Sequence, residues 1–228
     1  MTSMPRFVVT IDGAAGTGKT SVAQELARRL GTDCLDTGAM YRAIAVLSVD
    51  HGIAPDDGVA LAKLIQELGI RFDWNHEPAS ILLGGVDVSS RIRDLDVSGV
   101  VSIVAKQPEV RKVLVEQQRR IGEEHPLLVT EGRDQGSIVF PDAEVRFFLE
   151  AKMDERTKRR VKQLRQSGKT VENSQVLQDI SERDKIDSTR TDGPLTCPEG
   201  AIVIDTSDKT MMEVVDSMEQ SVRTALPT

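Results

Sequence analysis

Apolar positions along the chain repeat with two different periods. Four runs of β-favouring or apolar residues, at 7–11, 126–130, 143–149 and 201–204, have the length of buried strands. Near-continuous apolar runs of this kind suit a parallel sheet covered on both faces. Residues 34–36 are a fifth strand candidate, too short for periodicity to decide. Between these runs lie stretches of helical texture. They cover 22–30, a segment from Asp36 or Thr37 through Val49, 59–68, 109–123, the basic run 154–165, a segment from Val171 or Ser174 to Arg183, and 211–225. Helix is also expected to return by Val97 within the polar stretch 89–104. Gly31 is placed as a C-cap, Asp56 or Asp57 as an N-cap, and Gly52, Pro55, Pro108 and Gly193-Pro194 as breaks. Met211, Met212 and Met218 read as packing residues of the closing helix. Strands alternating with helices and ending on a strand–helix pair predict a doubly wound α/β layer.

One region has a different texture. Ile70-Arg-Phe-Asp-Trp74 alternates apolar and polar residues, Ser80–Leu83 does so less cleanly, and Gly84-Gly85 before Val86–Val88 is a hairpin signal. A small antiparallel sheet, about 70–88, is therefore expected inside the α/β chain. Trp74 reads as packing for that sheet, with stacking on a ligand as the alternative.

At 228 residues the chain can bury a full core and still carry small inserted lobes. Hydrophobic content of 39% with 29% charged residues describes a soluble globular protein. A formal net charge of −7 argues against a broad nucleic-acid surface, though local arginine clusters can still bind anions. No apolar run approaches membrane-spanning length, and Met1–Arg6 lack the apolar core of a secretory leader, so a cytoplasmic protein is expected. Cys34, Cys197, His51, His76 and His125 have no metal-ligand spacing, and a disulfide is disfavoured in a reducing cell. The core must be mostly aliphatic, because aromatic residues are only 3% of the chain.

The chemistry concentrates near the start. The first strand candidate runs into Gly13-Ala14-Ala15-Gly16-Thr17-Gly18-Lys19-Thr20, and helix-forming residues follow. This is strand, phosphate loop and helix in the order such a loop needs. Its glycines allow a tight turn whose N–H groups face oxyanions, and the helix start adds free donors and a positive dipole end. Lys19 is expected at the β and γ phosphates of a nucleoside triphosphate, and Thr20 at Mg2+. Asp36 is a further candidate for water-mediated Mg2+ contact, or simply a helix cap.

Downstream, the residues leave alternatives open. Arg42 is either solvated or an anion contact, and Arg111 is either a surface residue or a ligand contact. Glu131-Gly-Arg133-Asp134-Gln-Gly136 follows a strand, at the edge where open parallel sheets bind ligands, although an ordinary polar turn would look the same. Arg156, Arg159 and Arg160 belong to a basic run, interrupted at Ser167-Gly168-Lys169, that reads as a solvated helix or as a cationic lid over triphosphate. Arg183, Asp187 and Arg190 share a face if their helix continues through Asp187, with Arg190 near its end. Two arginines flanking a carboxylate suit a sugar hydroxyl beside a phosphate, or a surface ion pair.

The set Ile11–Thr20, Leu35–Arg42, Glu131–Asp134, Val139–Ala143 and Glu182–Asp184 with Arg190 resembles the bacterial cytidylate kinases, within the nucleoside monophosphate kinase group of P-loop proteins. The resemblance spans almost the whole chain. It implies one kinase domain over 1–228, with a P-loop NTPase-type parallel five-stranded sheet flanked by helices. The core would cover about 1–68, 106–150 and 172–228. A monophosphate-binding insert with the small antiparallel sheet would cover about 69–105, and a short lid about 154–171. The implied reaction is transfer of the ATP γ-phosphoryl group to CMP or dCMP with Mg2+, by a monomer that binds neither nucleic acid nor membrane.

By resemblance, Ser102, Arg111 and Asp134 match the cytosine pocket. Thr37, Arg42, Arg133 and Arg190 match the monophosphate site, and Arg183 and Asp187 match contacts to the sugar hydroxyls. Lys19, Arg133 and the lid arginines would stabilise charge during transfer. The departures are mild. Thr37 stands where serine is common, Glu131 where some members have aspartate, and Gln135 and Ser137 where an apolar residue and threonine are more familiar. The stretch Ser188–Leu195 looks less standard, which bears on Arg190.

Overall fold

The computed structural model describes residues 6–166 and 168–226; Ser167 and five of the six positions read for a leader, 1–5, lie outside them. In chain order the elements are β1 (Phe7–Gly13), α1 (Lys19–Leu30), β2 (Asp33–Asp36), α2 (Thr37–Asp50), α3 (Gly58–Leu68), β3 (Ile70–Asp73), β4 (Ser80–Leu83), β5 (Val86–Asp87), α4 (Leu95–Val104), α5 (Pro108–Glu124), β6 (Leu127–Gly132), β7 (Val145–Glu150), α6 (Met153–Gln166), α7 (Asn173–Thr189), β8 (Ile202–Asp205) and α8 (Met211–Ala225). They form two compact units. One is built on Asp33–Leu128, the other on Phe7–Thr32 together with the chain from Val129 onward.

In the second unit the strands hydrogen-bond in the order β6-β1-β7-β8. Two pairings fix a parallel register, Ile11 opposite Phe147 and Phe148 opposite Val203. All seven residues of β1 are buried, as its apolar sequence requires. Helices α1 and α8 lie against each other, and Arg29 of α1 pairs with Asp216 and Glu219 of α8. Helix α8 opens with a capping box between Thr210 and Glu213 and buries Val214, Val215, Met218 and Val222. Of the three methionines read as packing, only Met218 is buried. Met211 and Met212 are exposed, because they sit in the first turn, ahead of the buried stripe. Helices α6 and α7 pack through Val161, Leu164, Val176 and Ile180.

The first unit holds the antiparallel sheet β3-β4-β5, close to the range its alternation predicts. Trp74 packs here, stacked on Phe72 at 5.0 Å and edge-on to His125 at 4.9 Å. Asp36 caps α2 by accepting from Ala39 N, and Asp57 caps α3 by accepting from Ala60 N. A single 3-10 turn at Arg91–Arg93 precedes α4, which starts at Leu95, so helix has returned by Val97 as expected. One aliphatic cluster joins α2, α3, α4, α5 and the small sheet.

Three local features depart from the sequence expectation. Strand β6 runs two residues further, through Gly132. Gln135–Val139 form a π-helical turn, for which the sequence reading named no element, and Asp134 O accepts from both Ile138 N and Val139 N. Helix α7 continues past Arg183 to Thr189, and Arg190 is its C-cap, so it stops before Gly193-Pro194. The chain then folds back, with Leu195 N donating to Asp187 O and Arg190 Nε to Gly193 O. Among the described residues no helix is long and apolar enough to cross a membrane. Cys34 and Cys197 are free thiols.

Candidate active site

The phosphate loop follows directly from how β1 ends. Gly13 has φ +152°, and a Cβ there would lie 2.3 Å from the Leu149 carbonyl oxygen, so only glycine lets β1 pair with β7 at this point. Gly16, at φ +80°, leaves room for α6, since a Cβ there would meet Arg156 Cβ at 3.1 Å. Helix α1 begins at Lys19 with Gly18 at its N-cap and no side-chain cap. Its first amides are therefore not claimed by a capping side chain, the condition an anion at a helix N-terminus needs. Thr17 Oγ1 and Lys19 Nζ both donate to Ala14 O, at 3.0 and 2.7 Å.

Lys19 is 5% exposed. Burial lowers its pKa to about 7, helped by the Arg133 guanidinium and opposed by Glu131, Asp12 and Asp187. Asp12, fully buried at the end of β1, is pushed up to about 7 by burial, against the pull of amide bonds from Gly136 and Gln135. Thr20 donates its hydroxyl to Glu131 Oε1 at 2.6 Å. A hydroxyl held by a carboxylate beside a phosphate loop fits a hard divalent cation bound mostly through substrate oxygens. Among the described residues no group of three or more His, Cys, Asp or Glu side chains is placed to hold a metal ion.

Two of the three expected lid arginines reach this loop. Arg156 donates to Ala15 O at 3.1 Å and pairs with Asp184 of α7. Arg159 donates to Thr17 O at 3.3 Å and to Thr206, whose hydroxyl lies 3.1 Å from the Thr17 carbonyl oxygen. Arg160 instead donates to Gln163 Oε1 on its own helix.

A second cluster of charge lies in the same unit. Arg133 Nε donates to Asp187 Oδ2 at 2.8 Å, and Arg190 approaches Asp134 at 4.0 Å. Asp187, Arg190 and Asp134 are all buried. Burial works against the Arg133 charge, and the carboxylates of Asp187 and Glu131 outweigh it. Burial also works against the Asp187 charge, and Arg133 and Arg183 more than offset it, holding the carboxyl below its ordinary value. Because α7 continues to Thr189, Arg183 and Asp187 lie one turn apart on one helix.

The first unit places the remaining candidates. Thr37 is buried in the first turn of α2, next to the Asp36 cap. Arg42 Nη1 donates to Ser98 Oγ at 2.9 Å and Ile92 O at 3.3 Å. Ser102 follows Ser98 by one turn on α4. Arg111 is 1% exposed and donates to Tyr41 Oη at 3.2 Å, which removes the surface alternative.

The sequence reading did not single out Asp12, Ser98 or Asp184 as site residues, and it noted Glu131 only for its charge. A carboxylate at the end of a strand otherwise free of charge was the available signal for Asp12. Asp184 lay within the Glu182–Asp184 motif but was given no role of its own, and Ser98 carried no signal, since it acts through Arg42, distant in sequence.

A glycine-rich turn between a buried parallel strand and a helix, with Lys19 and Thr20 at the helix start, defines a P-loop phosphate-binding protein of α/β architecture. Among solved structures, an uncharacterized protein from Eubacterium ventriosum superposes with TM-score 0.55 at 13% identity, over 96% of this chain and 99% of its own. A gluconokinase from Sinorhizobium meliloti gives 0.51, also at 13%, over 96% and 94%. These likenesses concern the fold alone. The family model for cytidylate kinase matches residues 9–224. The cytidylate kinase of Caldanaerobacter subterraneus subsp. tengcongensis is 43% identical over 215 residues, covering 94% of both chains. That of Mycolicibacterium paratuberculosis is 42% identical over 216 residues, covering 95% of both. The chain belongs to the cytidylate kinase family and is a phosphotransferase.

Proposed function

We propose that this protein transfers the γ-phosphoryl group of ATP to CMP and dCMP, giving CDP and dCDP. The observation that carries this reading is a pair of cations in one unit, Lys19 of the phosphate loop, 5% exposed, and Arg133, whose Nε donates to Asp187 Oδ2 at 2.8 Å. The guanidinium, itself held by Asp187, acts on the lysine of the phosphate loop. A cation for a second phosphate thus stands within electrostatic reach of the cation for the first. A nucleotide-binding switch has no second phosphate to grip.

A nucleoside monophosphate is largely ionised near neutral pH, so its phosphate oxygen is already a nucleophile and no side-chain base is needed. Catalysis is then positioning and charge neutralisation. The amides of Gly13–Thr20 cradle the donor phosphates, and Lys19 and Arg156 neutralise charge on the transferred group, with Arg159 tying the lid helix to the loop. Arg42, Arg133 and Arg190 grip the acceptor phosphate through forked hydrogen bonds, and Thr37 adds its hydroxyl. Arg183 and Asp187 meet the sugar, and Ser102, Arg111 and Asp134 the base. Thr20, with Asp36 acting through water, would hold Mg2+, which supplies charge neutralisation across the β and γ phosphates. Closure of the insert and lid excludes the water that competes for the γ phosphate. Asp134 accepts from the cytosine amino group, whereas uracil offers a carbonyl there. That mismatch costs roughly 1–3 kcal/mol, about five- to over a hundredfold in kcat/KM. The enzyme works as a cytoplasmic monomer.

An ADP-release assay across CMP, dCMP, UMP, AMP and GMP tests the reading. CMP and dCMP should give the highest kcat/KM. A preference for AMP, or no transfer to any monophosphate, would overturn it.

A further inference from the structure

We propose that Asp12 is the positioning residue for base choice. Its carboxylate sets the backbone of the loop that presents Asp134, although Asp12 touches neither base nor phosphate. The inference rests on the reading of Asp134 as the acceptor for the cytosine amino group.

Asp12 is the second-to-last residue of β1, one position before the phosphate loop, and is fully buried. Its two oxygens each accept one backbone amide from the neighbouring loop: Oδ1 from Gln135 N at 2.8 Å and Oδ2 from Gly136 N at 2.7 Å. These are the two amides immediately after Asp134. They open the π-helical turn, where early amides lack partners within the turn itself, much as at any helix start. The turn's own closing bonds run to Asp134 O from Ile138 N and Val139 N. Asp134 is therefore gripped on both sides of its peptide, by Asp12 ahead and by the turn behind. The space is tight as well, since a Cβ on Gly136 would lie 2.8 Å from Thr10 Oγ1. The Gln135 side chain is tied in the same direction, with Thr130 Oγ1 donating to its Oε1 at 2.9 Å.

A carboxylate is the one side chain of this length that offers two acceptors to two parallel amides. Asparagine keeps the shape but turns one acceptor into a donor facing an N–H group. The consequence falls on Asp134, whose placement decides between an amino group and a carbonyl on the base. Asp12 thus fastens the strand that leads into the donor loop to the base-reading loop through two bonds, beside the separate Thr20–Glu131 link.

The test compares wild type with Asp12→Asn and Thr130→Val in the full chain, each first checked for a cooperative thermal transition. The readouts are kcat and KM for CMP and for UMP at saturating ATP, and KM for ATP. In Asp12→Asn the CMP-over-UMP ratio of kcat/KM should fall about fivefold or more, mainly through the CMP KM, the loss expected for one buried hydrogen bond. Thr130→Val, which loosens the same loop from behind Gln135, should shift the ratio in the same direction by a smaller factor. An unchanged ratio in a folded Asp12→Asn protein overturns the inference. If Asp12→Asn does not fold, an unchanged ratio in Thr130→Val overturns it. A wild type without CMP preference over UMP instead refutes the underlying reading of Asp134.

Discussion

Replacing Asp184 with asparagine isolates the contact that aims a lid arginine at the phosphate loop. Arg156 leaves α6 with its side chain 9% exposed and splits its donors between Ala15 O and the Asp184 carboxylate, itself 23% exposed. Asparagine preserves the shape and one acceptor oxygen but removes the charge. A hydrogen bond to a charged partner contributes about 1.5–3 kcal/mol and a neutral one about 0.5–1.5, so the substitution weakens the hold on Arg156 by roughly 1–1.5 kcal/mol. If Arg156 neutralises charge on the transferred group, most of that loss appears in the transition state. Steady-state ADP release at saturating CMP should then show kcat down about five- to tenfold, with the ATP KM moving less than about threefold. Arg156→Lys should cost at least as much, and the double variant should cost little more than Arg156→Lys alone, because both changes act on one guanidinium. An unchanged or raised kcat in Asp184→Asn would refute the reasoning. It would mean that Asp184 restrains Arg156 rather than aims it.

Two further outcomes follow from the same geometry. Lys19 has a folded pKa of about 7, below its ordinary 10.5, so the fold disfavours its charge. That penalty is fully present below pH 7 and disappears as pH rises through 10.5, where both folded and unfolded chains are neutral at this group. Lys19→Met should therefore abolish transfer yet raise the melting temperature relative to wild type, with the larger gain at pH 6.5 than at pH 9; a gain that grows with pH would refute the assignment. Ser98→Ala removes the 2.9 Å bond that orients Arg42. The CMP KM should rise about two- to tenfold with the ATP KM unchanged, the range for one lost hydrogen bond, and equal effects on both substrates would show a general packing defect instead.

Much of the architecture was legible because periodicity and punctuation agreed. The strand runs at 7–11 and 143–149, the Asp36 and Asp57 caps and the Gly84-Gly85 hairpin all lie where local chemistry puts them. What the sequence concealed depends on partners far along the chain. The π-helical turn at Gln135–Val139 has its leading amides accepted by Asp12, more than a hundred residues earlier. Helix α7 outlasts its expected end at Arg183 because Asp187 and Arg190 are drawn inward, to Arg133 and Asp134. Arg111 could not be placed from its own helix, since an arginine near a helix start looks the same whether it faces solvent or Tyr41. Met211 and Met212 show the opposite error: an apolar residue at a plausible helical position was assigned to packing when its turn lay outside the contact.

The charged residues of the second unit are arranged as a chain of obligations rather than as isolated pairs. Asp187 compensates Arg133, Arg133 bears on Lys19, and Lys19 faces Asp12, which in turn fastens the loop carrying Asp134. Burying any one of these charges alone would be costly, because a desolvated ion without a partner loses several kcal/mol. Two other arginines of the unit have acidic partners as well, Arg156 beside Asp184 and Arg190 near Asp134. At the loop itself, Lys19, Arg156 and Arg159 donate to the carbonyls of Ala14, Ala15 and Thr17. A carbonyl is a weaker partner for a cation than a phosphate oxyanion. If phosphate oxygens replace the Ala14 and Ala15 carbonyls at Lys19 and Arg156, each of these two cations exchanges a neutral acceptor for a charged one, while Arg159 keeps its tie to the loop.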